Sequence, residues 1–243
     1  LSFPLKTDKY TFFKLEITEL IDNKQKPQLA ELSIDASTEL PYSDYTRTLD
    51  IDNAIHTVMY KENGITFKRE YFMSYPDNVM VMRLTSDSKK GKLSRIISLE
   101  SLHTDKTITA DGHTITMTGY PTPVSGDKRV GDAWKNGLKY AQQLVVKNKG
   151  GKISVVDGTK LKVEDADEII VLMSAATNYV QCMDDSYNYF SQEDPLEKVQ
   201  ATLHKVADKK YTALLATHQK DYHSLYDRMR LNLGNLPEAP VAP

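Results

Sequence analysis

Asn63-Gly64 stands between two runs that read as strands, Ile55 to Glu62 and Ile65 to Phe72, and it is the residue pair that most readily supplies the two positive φ angles of a type I′ hairpin. A chain built around such a unit is committed locally to antiparallel pairing. Other segments extend the pattern. Phe13, Leu15 and Ile17 fall on one side of a short run while Lys14, Glu16 and Thr18 fall on the other, the period-two alternation of a strand with one buried face. Further strands are expected at Val79 to Thr85, Leu93 to Leu102, Thr107 to Ala110, Thr114 to Thr118, Leu138 to Lys147, Lys152 to Val156 and Lys160 to Val163, punctuated by Asp111-Gly112 and Asp157-Gly158. Ile169 to Met173 is continuously apolar and short, which suits a central strand covered on both faces.

So many strands with hairpin-length connections argue for a mainly β fold, a large antiparallel β-sandwich of the super-sandwich type. With 243 residues, 40% of them hydrophobic, the chain can bury such a core as one large domain or as two smaller lobes. The period then changes. Leu196, Val199, Leu203 and Val206 recur at three and four residues, and Asp194-Pro195-Leu196-Glu197 supplies an N-cap, a proline at the first helical position and a capping-box glutamate. A second helix is expected over roughly Tyr211 to Met229, with Leu214, Leu215, His218, Tyr222 and Leu225 on one side and Gly234 and Pro237 ending it. The expected division is a β-sandwich over 1–190, exit helices over 191–234 and a linker tail over 235–243.

Charge and cysteine content remove several function classes. Thirty-one basic and 33 acidic residues leave a net charge of −2, with no like-charged run able to hold a polyanion, so nucleic acid is not an expected partner. Cys182 is the single cysteine, which precludes an internal disulfide or a cysteine-rich zinc site. No window holds around 18 consecutive apolar residues, so no membrane span is expected, and Leu1 to Lys9 lack the features of a signal peptide, although a removed signal would leave no trace.

Several segments, taken in order, resemble the amino-terminal domain of glycoside hydrolase family 95, whose best-known members are α-L-fucosidases. Tyr45-Thr46-Arg47-Thr48-Leu49-Asp50-Ile51-Asp52-Asn53-Ala54 is similar to a family segment, as is Arg69-Glu70-Tyr71-Phe72-Met73-Ser74-Tyr75-Pro76-Asp77. The similarity continues through Gly150-Gly151, Ala166-Asp167 and Ala175-Ala176-Thr177-Asn178-Tyr179 to His218-Gln219-Lys220-Asp221-Tyr222, Leu225-Tyr226-Asp227-Arg228 and Leu231-Asn232-Leu233-Gly234. It covers roughly Tyr45 to Gly234. The resemblance implies a parent enzyme that hydrolyses terminal α-L-fucosides with inversion, in an (α/α)6 barrel following this domain, where a general acid and a water-activating group stand about 6.5 to 9.5 Å apart. It therefore implies no catalytic residue and no cofactor in this chain, an oligosaccharide substrate reached through the parent enzyme, and the barrel as intramolecular partner. The expected compartment of the parent is periplasmic or extracellular. Rival readings are a stand-alone carbohydrate-binding module, an α-L-galactosidase or a maltose-phosphorylase-like enzyme.

Within the chain, Trp134 is the candidate substrate contact: it lies in the glycine-flanked segment Gly131 to Gly137, where an aromatic face could stack on a sugar ring, or equally fold against its own sheet. Asp184-Asp185 beside Cys182 reads better as a solvated turn than as a carboxylate pair. No metal site is expected. His218 and His223, five residues apart, do not share a helix face, and His218 on the apolar side reads as a packed histidine with a hydrogen-bond partner. Tyr179, Tyr187 and Tyr189 suit either a saccharide-facing patch or an interdomain surface.

Overall fold

The computed structural model describes residues 42–88, 93–121, 137–180, 190–229 and 234, all within the compact unit Tyr42–Pro243. The strand expected around Phe13 to Ile17, Trp134, and the Cys182 and Asp184-Asp185 segment lie outside them.

Eleven described strands form two antiparallel sheets. They are β1 (Ser43–Asp50), β2 (Ile55–Glu62), β3 (Ile65–Ser74), β4 (Val79–Ser86), β5 (Leu93–Ser98), β6 (Lys106–Asp111), β7 (Thr114–Gly119), β8 (Tyr140–Lys149), β9 (Lys152–Val156), β10 (Lys160–Ala166) and β11 (Glu168–Thr177). The large sheet runs β1-β2-β3-β4-β11-β8-β7-β6 and the small one β5-β10-β9. Two helices follow, α1 (Pro195–Val206) and α2 (Tyr211–Tyr226).

The hairpin that constrains the sequence most is present as expected. Asn63 and Gly64 take φ of 50° and 78°, and Glu62 pairs with Ile65 across the turn. β11 lies between β4 and β8, and its continuous apolar run is explained by two separate cores. On one face Ile169 and Val171 join Phe67, Leu84, Ile115, Leu144 and Val146, and against them pack Leu93, Leu161 and Val163 of the small sheet. On the other, Leu172 joins Phe72, Val79, Val81 and Ala141, covered by Val199, Leu203 and Val206 of α1 and by Tyr211 and Leu214. The small sheet thus covers one side of the large one while the helices cover the other.

The chain moves between the sheets through a tight corner. Gly150 and Gly151, both with positive φ, lead from β8 of the large sheet into β9 of the small one. A side chain on Gly151 would run into the Glu164 carbonyl, and one on Gly150 would meet the Asp167 carboxylate at 2.9 Å. The return strand crosses alongside: Asp165 takes φ of 55° at a register shift, and Asp167 N–H donates to the Lys149 carbonyl at 2.7 Å. Gly150-Gly151 and Ala166-Asp167, far apart in sequence, are the two halves of this corner.

Several strand ends differ from the sequence reading, among them β11, which runs on to Thr177 beyond Met173, and two have a clear cause. β5 stops at Ser98 rather than Leu102 because its partner β10 begins at Lys160, opposite Ser98, and the ladder has nothing to continue on. Leu102 is fully exposed. β10 runs on to Ala166 through the bulge that turns the corner.

Asp194 caps α1, its carboxylate accepting from Leu196 N–H at 2.9 Å, with Pro195 in the first turn. α1 lies across β8 and β11, and α2 across β3. Between the helices Lys209 reaches the nearly buried Asp77 carboxylate at 2.6 Å, and Ser74 donates to the same carboxylate at 2.7 Å, which fastens the inter-helix turn to the β3–β4 connection. No described helix is long and apolar enough to cross a membrane.

Candidate functional site

A groove of about 390 Å³ lies over the β1–β2–β3 end of the large sheet, lined by Tyr42, Tyr45, Arg47, His56, Val58, Tyr60, Glu62 and Arg69. Register places these residues. Arg47 pairs with Val58, and Val58 with Arg69, so one row across three strands reads cation, apolar floor, cation. The neighbouring rows pair His56 with Tyr71 and Tyr60 with Phe67. At the edge, the register slips between Ser43 and Thr46, Asp44 takes φ of 53°, and Tyr45 lines the same groove as Arg47.

Aromatic rings form one wall. Tyr42 stands 6.0 Å from Tyr45 and edge-on to Tyr60 at 6.3 Å, and Tyr60 stacks on Phe67 at 5.4 Å. Tyr42 and Tyr45 are 40% and 55% exposed, enough ring surface to receive a ligand. Guanidinium groups form the rest. Arg69 lies 5.2 Å from the centre of the Tyr60 ring and Arg95 of β5 lies 5.1 Å from that of Phe67. The Tyr60 hydroxyl accepts from both, each at 3.1 Å. Arg47 Nε donates to His56 Nε2 at 3.1 Å, which makes that nitrogen the acceptor and leaves the imidazole proton on Nδ1. Glu62 is the lone carboxylate among the described lining residues.

Sequence reasoning does not single out this groove. The available signal was that Arg47, His56, Tyr60 and Arg69 occupy, after pairing, the face that carries apolar side chains elsewhere in the sheet. Only the register reveals that they share it.

The opposite face of β3 carries a structural ion cluster. Arg83 donates to Glu168 at 2.6 and 2.9 Å and to Glu70 at 3.3 Å, and its guanidinium lies 4.7 Å from the centre of the Tyr211 ring. Burial foremost, with the Glu70 charge behind it, pushes the Tyr211 phenol up to about 12, so it stays neutral at any ordinary pH. This cluster ties α2 to the sheet.

α2 also clasps the β1–β2 turn. Tyr222 OH donates to the Ile51 carbonyl at 2.6 Å, Gln219 Nε2 to Asn53 Oδ1 at 3.1 Å and Tyr226 OH to Asp52 Oδ1 at 3.0 Å. His218, 6% exposed, pairs with the Ala54 carbonyl at 3.1 Å and stacks on Phe72 at 4.9 Å, the packed histidine expected from the sequence. The turn is shaped from within: Asn53 donates twice to Asp50, and the Asn53 side-chain amide foremost holds that carboxyl below its usual range. Two motif segments of the sequence, Tyr45 to Ala54 and His218 to Tyr226, are therefore one contact.

Asn178 makes a second junction. Its side chain accepts from Lys139 N–H at 2.8 Å and donates to the carbonyls of Gly137 and Ser191, and Tyr179 bridges to Phe190. Trp134, Tyr187 and Tyr189 lie outside the described residues, so their expected roles are not brought into this geometry. Among the described residues no three histidine, cysteine, aspartate or glutamate side chains converge as a metal site would require.

A large antiparallel sheet backed by a three-stranded sheet on one side and two helices on the other defines a β-sandwich domain with C-terminal helices. Residues 11–182 match the family model "Glycosyl hydrolase family 65, N-terminal domain", and the chain belongs to that family. The match begins well before Tyr45, where the motif resemblance starts. The chain is 29% identical over 211 residues to "Probable alpha-fucosidase A" of Aspergillus niger, covering 84% of this chain and 25% of that protein. It is 32% identical over 206 residues to "Alpha-L-fucosidase 2" of Arabidopsis thaliana, covering 79% and 24%. The chain thus spans about a quarter of the length of these curated relatives. Among solved structures, "Putative kojibiose phosphorylase from human microbiome" shares the fold with a TM-score of 0.51 at 11% identity, over 76% of this chain and 25% of that one.

Proposed function

We propose that this chain is the non-catalytic N-terminal domain of an α-L-fucosidase of glycoside hydrolase family 95, an enzyme that hydrolyses terminal α-L-fucosides with inversion. The observation that carries the reading is the similarity to two α-fucosidases over four-fifths of the chain. Inverting hydrolysis needs a carboxylic acid and a separate water-activating base flanking one bond. The chemistry is assigned to the barrel that follows this domain in the family, and the oligosaccharide is a partner of the whole enzyme. Leu225 and Met229, 57% and 83% exposed where α2 ends, supply apolar surface for that barrel to cover.

The test compares the full-length parent with the 243-residue chain on an aryl α-L-fucoside, an aryl α-L-galactoside and, with inorganic phosphate, maltose. Fucose release by the parent alone supports the reading. Turnover by the isolated chain that a point change within it abolishes overturns the non-catalytic role, a preference for the galactoside moves the specificity, and phosphate-dependent cleavage of maltose places the parent among phosphorylases.

A further inference from the structure

The groove over β1, β2 and β3 has a charge balance that the fold does not require. Arg47 and Arg69 line it, with Arg95 behind Tyr60, and their hydrogen-bond partners among the described residues are an imidazole, the Tyr60 and Tyr71 phenols and the Ser94 carbonyl, none of which carries a negative charge. On the opposite, helix-covered face, by contrast, Arg83 has two carboxylates, and Lys209 of the inter-helix turn has Asp77. Among the described lining residues two guanidiniums face one carboxylate, a net positive balance in a concave site walled by tyrosine, where the field focuses on anything that enters.

Ring geometry narrows the ligand. Tyr42 and Tyr45 expose their faces at 6.0 Å from one another and tilted by 51°, so they present a bent aromatic wall rather than a slot for a flat ring. Such a wall suits the CH-rich face of a pyranose, with hydroxyl groups left to the Glu62 carboxylate and the tyrosine phenols. The guanidinium of Arg47, on the exposed edge strand, offers the planar fork that meets a carboxylate or sulfate oxygen pair.

We propose that this groove binds an anionic saccharide, a pyranose bearing a carboxylate or a sulfate ester, with the ring against Tyr42 and Tyr45 and the acidic group toward Arg47 and Arg69. The site is independent of the reaction assigned to the parent enzyme, and its occupant need not be the hydrolysed sugar.

Calorimetric titration of the 243-residue chain tests it with four probes: tetragalacturonate, a sulfated neocarratetraose, neutral cellotetraose and tetraglutamate. The expected result is that one or both anionic saccharides bind about tenfold or more tighter than cellotetraose and tetraglutamate, a margin of one good charge-assisted contact. The tighter of the two names the acidic group. Arg47→Gln should remove the preference for the charged saccharide, and Tyr45→Ala should weaken binding about tenfold, since both side chains are exposed and neither change should move the melting temperature. Equal affinity for cellotetraose overturns the proposal, as does tetraglutamate binding as tightly as the saccharides, which would mark a general anion sink. Undiminished binding by both variants places the ligand elsewhere and overturns it equally.

Discussion

The centre of the large sheet and its β1–β2 edge are built on the same alternation, yet they do opposite things. At β4, β11 and β8 both parities are apolar, and Val81, Leu172, Ile169 and Val146 have no measurable exposure. At β1 every residue is exposed, and the inward parity of β2 carries His56 and Tyr60 around a single buried Val58. A strand pattern therefore says that one face differs from the other. It does not say that the inner face is greasy, and the departure from an apolar inner face marks where the sheet is free to bind.

The comparison breaks first at the centre. Leu172→Ala should cost about 2–5 kcal/mol, the range for deleting a fully buried leucine, visible as a lower denaturation midpoint in urea; a loss below about 1 kcal/mol would show that β11 is not the shared wall of two cores. Next comes the corner, where Gly151→Ala should cost roughly 2–3 kcal/mol, because the new methyl meets the Glu164 carbonyl on a backbone of positive φ. Gly64→Val strains the hairpin turn without a clash, as nothing lies within 4 Å of its Cβ position, and should cost about 1–2 kcal/mol. A melting temperature unchanged by that variant would deny the type I′ turn. At the clasp, Tyr222→Phe removes one hydrogen bond to the Ile51 carbonyl and should cost about 0.5–1.5 kcal/mol. The smallest effect belongs to Leu225→Glu, expected to leave stability within about 0.5 kcal/mol while reducing self-association in sedimentation velocity; a collapse of the fold would make Leu225 core rather than joining surface.

Much of this architecture was legible. Asn63-Gly64 gave its turn because a type I′ hairpin needs two positive φ angles and few pairs accept both. Asp194-Pro195 gave the start of α1 through capping chemistry that is local to three residues. What stayed hidden depended on pairing across distance. Gly150-Gly151 stood only as one segment of the family resemblance, and the contact with Glu164 shows it carrying the chain from one sheet to the other. The groove was invisible for the same reason: Arg47, Val58 and Arg69 become a row only once three strands are in register. The helices were legible as elements, but that α1 lies over β8 and β11 and α2 over β3 emerges only once the sheet is assembled.

The clasp between α2 and the β1–β2 turn joins residues 164 to 174 positions apart in the chain. During synthesis at about 5–20 residues per second, the turn leaves the ribosome roughly 10–30 s before the helix that completes it. For that interval Ile51 and Asn53 lack their final partners, while hairpins such as β2–β3 can close within microseconds. The β1 edge is thus latched only once α2 has emerged, and a chain truncated before that helix would lack the clasp on its first strand.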